Sequence, residues 1–161
     1  MPNERPGLFQ PQRFFREWIV GVFELETFFY DEDFRRFCEY LCKDAEERNT
    51  PLKLVFNGDT FDFLRLDPVP EKLGGKKSAF NPVMTPQRAA LEMESILAGH
   101  PLFLEALARV LAEGNEILVM PGNHDIEIQW APVQQAMRDA IAEHALFAGN
   151  PARAKEALGR L

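Results

Sequence analysis

Two short apolar runs, each stopped by a glycine turn and followed at once by acidic or imidazole side chains, restrict what this chain can fold into more than any other feature. The first is Leu52-Lys53-Leu54-Val55-Phe56, bracketed by Pro51 and Asn57-Gly58, with Asp59-Thr60-Phe61-Asp62 just beyond. The second is Glu116-Ile117-Leu118-Val119-Met120, ended by Pro121-Gly122 and followed by Asn123-His124-Asp125. Short apolar runs between turn residues read as buried strands. In an open α/β sheet, ligands bind in the crevice beyond the carboxyl ends of the strands, which is where both polar clusters fall.

The text around the runs is helical. Asp31 or a neighbour caps a helix through about Arg48, with Phe34, Phe37, Cys38, Leu41, Cys42 and Ala45 on its apolar face and acidic residues in its first turn. Thr85-Pro86 pairs an N-cap with proline at the first helical position and opens a helix to about Ala98, stopped by Gly99. His100-Pro101 starts another through Ala112, and His100 reads as a helix-start residue rather than a ligand. Two more helices follow the second strand, from about Ala131 to Leu146 and from about Pro151 to Leu158. Strands joined through helices lie parallel, so the fold class is α/β with mostly parallel strands flanked by helices. Residues 1–13, with Pro2, Pro6 and Pro11, read as an N-terminal arm, and 14–161 as the domain. Trp18-Ile19-Val20-Gly21-Val22-Phe23 reads as a first strand, with a helix as the alternative. Leu66 to Asn81 reads as a long surface loop whose lysines, Lys72, Lys76 and Lys77, are solvated or meet an anionic substrate. Two or three strands are few for a parallel sheet, which needs cover on both faces, so the chain reads as part of a larger fold.

Composition narrows the function classes. The 161 residues, 46% hydrophobic and 27% charged, are those of an ordinary globular domain. A net charge of −7 argues against affinity built on neutralising a nucleic-acid backbone. No apolar run reaches signal-peptide or membrane-span length, and the two cysteines, Cys38 and Cys42, lie on one helix face as core residues, so a cytoplasmic, reduced setting is expected.

Hard or borderline divalent cations take oxygen and imidazole ligands, and one carboxylate can bridge two ions about 3.5 to 4 Å apart. Asp59, directly after a glycine that lets the backbone turn sharply, suits that bridging role. Asn123 offers a neutral carbonyl oxygen, which leaves His124 to act as general acid or electrostatic stabiliser. Asp62 and Asp125 read as groups that orient the ligands or the backbone around them. Taken singly, a Gly-Asp is often a plain turn, and Asn-His after Pro-Gly can be a helix cap with a surface imidazole. Both motifs after successive strands favour a metal site.

Gly58-Asp59-Thr60-Phe61-Asp62 and Gly122-Asn123-His124-Asp125 resemble the GDxxD and GNH[D/E] blocks of the calcineurin-like metallophosphoesterases. The flanking text, Asn57 to Leu64 and Met120 to Trp130, is similar to bacterial members of that superfamily, including the branch near the UDP-2,3-diacylglucosamine pyrophosphatases. The resemblance covers about Asp31 to Leu146. It implies a four-layer αββα sandwich, a metal-bridging Asp59, a metal ligand Asn123, a catalytic His124 and two divalent ions such as manganese, iron or zinc. The implied activity is hydrolysis of a small-molecule phosphate monoester or diester by a metal-activated water.

Two family blocks have no match. Where a D-x-H block is expected, the chain has Glu24 and Glu26, which keep the alternation but not the ligand types; they read as exposed acids on a divergent strand, with divergent metal ligands as the alternative. A later G-H-x-H block is also missing: of the three histidines, His100, His124 and His144, the last lies in a helical pattern with no glycine before it. The expectation is therefore a partial, N-terminal portion of the sandwich that self-associates or takes a partner chain to complete itself. The alternative function is a non-catalytic relic or interaction module with weak or no metal binding.

Overall fold

The structure is a computed structural model and describes residues 28–63, 84–147 and 150–161. The expected arm, the expected strand Trp18–Phe23, Glu24, Glu26 and the Leu66–Asn81 loop all lie outside these residues. The described elements run in the order α1 (Asp31–Glu47), β1 (Lys53–Asn57), α2 (Pro86–Gly99), α3 (Pro101–Ala112), β2 (Glu116–Met120), α4 (Ala131–Ala142) and α5 (Pro151–Leu158), with 3-10 turns at Ile126–Gln129 and Ala145–Phe147. This is a mixed α/β arrangement: β1 and β2 pair in parallel, with Lys53 opposite Glu116 and Asn57 opposite Met120.

Local chemistry accounts for the helix ends. It is the neighbour, Tyr30, that occupies the N-cap of α1, without a side-chain bond; Asp31 is the first helical residue and turns its carboxylate to His100 Nδ1 at 2.9 Å. Thr85 does cap α2, its hydroxyl accepting the N–H of Arg88. The fourth helix ends at Ala142 and not near Leu146, and the tighter Ala145–Phe147 turn brings Phe147 down to 2% exposure in the core.

Helix α3 is the hub. Phe103, Ala106, Leu107, Ala108, Val110 and Leu111 are all buried, and the helix touches α1, α2, α4, α5 and β2. Small residues on its flanks let the neighbours approach, while Phe103 anchors an aromatic cluster: Phe34 of α1 stacks on it at 4.9 Å, and Phe56 of β1 and Phe61 beyond the strand meet it at 6.0 and 6.1 Å. Cys38 and Cys42 are core residues, and burial pushes their thiols up to about 11 and about 12, so they stay protonated and unreactive. Phe37, expected on the same apolar face, is instead half exposed: it lies one position off the stripe set by Phe34, Cys38 and Cys42.

Alternation divides the sheet. Leu54, Phe56, Ile117 and Val119 point into the core, whereas Val55, Leu118 and Met120 on the other face are each more than 40% exposed among the described residues. The far edge of β2 is met by the C-terminal tail, where Ile117 N–H donates to the Arg160 carbonyl at 2.9 Å. Asn115, buried before β2, accepts the N–H of Leu52 at 3.0 Å and so fixes the start of β1 against the end of α3. Among the described residues no single helix is long and apolar enough to cross a membrane.

Candidate functional site

Parallel register carries both strands to the same end, so the turn at Gly58 and the turn at Pro121-Gly122 lie side by side. The chain reverses sharply after β1. Gly58 has φ +84° and Asp59 φ +50°, so an aspartate occupies the left-handed region that Asp and Asn tolerate best among side-chain-bearing residues. Gly122 is required by contact: a Cβ there would stand 2.1 Å from Asp59 Oδ1 and 2.4 Å from Asp59 N. The two turns touch backbone to backbone because each has a glycine at the crossing.

Hydrogen bonds join the turns from both sides. Asp59 Oδ1 accepts the His124 N–H at 3.0 Å, and the His124 carbonyl accepts the Phe63 N–H at 3.2 Å. Asp125 is fully buried; its Oδ2 accepts the N–H groups of Thr60 at 2.7 Å and Phe61 at 3.1 Å, and its Oδ1 accepts that of Gly122. Phe61 and Phe63, 4% and 1% exposed, pin the first turn to the core beneath. Asp62 lies between these two anchors, with its Oδ1 3.5 Å from His124 Nδ1, a separation beyond that of a well-made hydrogen bond.

The five expected site residues within the described portion therefore fall in one place. Asp59 and Asn123 are exposed on the rim, His124 and Asp62 are half-buried, and Asp125 lies beneath them. Glu24 and Glu26 lie outside the described residues. With Nδ1 turned to Asp62, the His124 ring, 43% exposed, has its Nε2 left for exchange of a proton with a bound molecule.

The donor set fits a metal ion incompletely. Asp59 and Asn123 bring oxygen donors, but among the described residues no three His, Cys, Asp or Glu side chains are placed to hold one ion. A complete shell would need donors beyond them.

Three features of the site escape sequence reasoning. The first is the Asp62–His124 contact, between residues in different turns. The second is the steric demand for Gly122, which reads in the sequence only as a strand stop. The third is the convergence of three N–H groups on one carboxylate; a buried acid just after Asn-His is its single sequence trace. In comparisons with known proteins, no family model, no curated protein and no solved structure matches this chain.

Proposed function

We propose that the chain is a phosphoesterase domain of the metal-dependent, calcineurin-like kind, acting on a phosphate monoester or diester, and that the paired turns are its part of the site. The observation that carries this reading is the convergence of Asp59, Asn123 and an Asp62-oriented His124 on one exposed rim at the carboxyl ends of adjacent parallel strands. His124 is suited to give a proton from Nε2 to the ester oxygen as the phosphorus–oxygen bond breaks, leaving the alcohol neutral. Asp59 and Asn123 are the oxygen donors offered to divalent ions such as manganese, iron or zinc. The remaining ligands fall to residues outside the described ones or to a partner chain, with Glu24 and Glu26 as the alternative candidates. The finer architecture that goes with this reading is a portion of a four-layer αββα sandwich, supported by the parallel pair with helices on one of its faces.

One observation favours a second reading, a non-catalytic interaction module: the described residues hold no complete metal shell. Turnover of bis-p-nitrophenyl phosphate with added manganese separates the two, with bound metal quantified in each sample. The phosphoesterase reading expects metal-dependent turnover that falls by about 100-fold or more in His124→Ala and is lost in Asp59→Ala. Absence of both turnover and stoichiometric metal would leave the module.

A further inference from the structure

Successive backbone N–H groups that converge at a turn make a nest for anions, and in phosphate-handling proteins such nests hold the ligand. Here Thr60, Phe61 and Gly122 present three such groups to one point, and the point is already filled by the chain's own Asp125 carboxylate. That carboxylate is fully buried and has no cationic partner among the described residues. A buried carboxylate without a counter-ion is costly unless hydrogen bonds satisfy it, and the three amides meet that demand. The amides in turn come from both turns: two follow β1 and one follows β2.

We infer that Asp125 is a built-in anion and the positioning residue of the paired turns. It fixes the spacing of Asp59, Asn123 and His124 before any ligand arrives, and it closes the amide nest to incoming phosphate. An oxyanion bound at this rim is consequently held by other groups. The inference concerns how the turns are held and needs no turnover, so its test is separate from that of the phosphoesterase reading.

The experiment is amide hydrogen exchange by NMR on the full chain, with the His124 ring resonances followed in parallel. In the wild-type chain the Thr60, Phe61 and Gly122 amides should exchange at least about 100-fold more slowly than that of Asn123, whose N–H makes no hydrogen bond among the described residues. In Asp125→Asn, which keeps one carbonyl acceptor but turns an NH2 toward the donors on the other side, at least one of these three amides should lose protection by about tenfold or more while the α3 amides hold, and the His124 ring resonances should move. Asp125→Ala should lose the same protection and regain it with added sodium formate, which supplies the missing carboxylate. Inorganic phosphate should leave the exchange protection of the three wild-type amides unchanged. Three fast-exchanging amides in the wild-type chain would overturn the inference without any variant, as would Asp125→Asn with unchanged protection and ring signals. Failure of formate to restore Asp125→Ala, or a change in the protection of the three wild-type amides on adding phosphate, would overturn it too.

Discussion

The two faces of the β1–β2 pair are made by the same ten residues and have opposite surroundings. On one face Leu54, Phe56, Ile117 and Val119 lie against α3 and its neighbours; on the other Val55, Leu118 and Met120 are open among the described residues, with the Lys53–Glu116 ion pair at 2.7 Å beside them. A parallel pair is ordinarily covered on both sides. The contrast teaches that, among the described residues, the contacts that tie the strands to the core all lie on the helical side, through Asn115 and the Phe103 cluster.

The largest expected effect sharpens the covered side. Ile117→Ala should lower unfolding free energy by about 2–5 kcal/mol in chemical denaturation, because the site is 3% exposed and its neighbours are fixed helices. Asn115→Ala should cost about 1–3 kcal/mol in the same measurement, since the Leu52 N–H loses its acceptor at a buried strand end. Leu118→Lys on the open side should change stability by no more than about 0.5 kcal/mol. A loss as large as that of Ile117→Ala would break the comparison and mean that the face is covered in the whole chain. Sedimentation of the same variant tests the expected self-association: a wild-type oligomer that becomes a monomer would assign the open face to a second copy.

The smallest effect lies on the outer rim of the helical side. Burial, with Asp139 and Glu143 adding to it, holds the Glu94 carboxyl above its ordinary value of 4.5. A raised acid contributes stability below pH 4.5 that is lost as pH rises through its folded value. Glu94→Gln should therefore gain no more than about 0.5 kcal/mol at neutral pH after solvent screening, and nothing below pH 4.5, as read from denaturation at the two pH values.

Much of this was legible in the residues. Branched apolar runs between turn residues marked both strands within a residue of their ends, and proline and threonine signals marked the start of α2. Parallel pairing followed from the helices between. What was not legible depends on distant contacts. Phe37 keeps an apolar side chain off the stripe because periodicity alone does not fix where the stripe is centred. His100 reads as a helix-start residue and does sit at the start of α3, yet its bond to Asp31 joins residues 69 apart in sequence. At the candidate site the residue types were visible, whereas the closure of the turns by Asp125 depends on backbone N–H groups, which every sequence carries and none displays.

The bonds that tie the two strands and turns together have a kinetic consequence. Leu52 to Asn115, Thr60 and Phe61 to Asp125, and His124 to Asp59 join residues 63 to 65 positions apart. Contacts of that reach form only after the intervening chain has been organised, since the entropy of closing a long loop must be met first. During synthesis β1 therefore cannot pair with β2 until α2, α3 and β2 have left the ribosome, and the rim that bears Asp59 and His124 is closed only then.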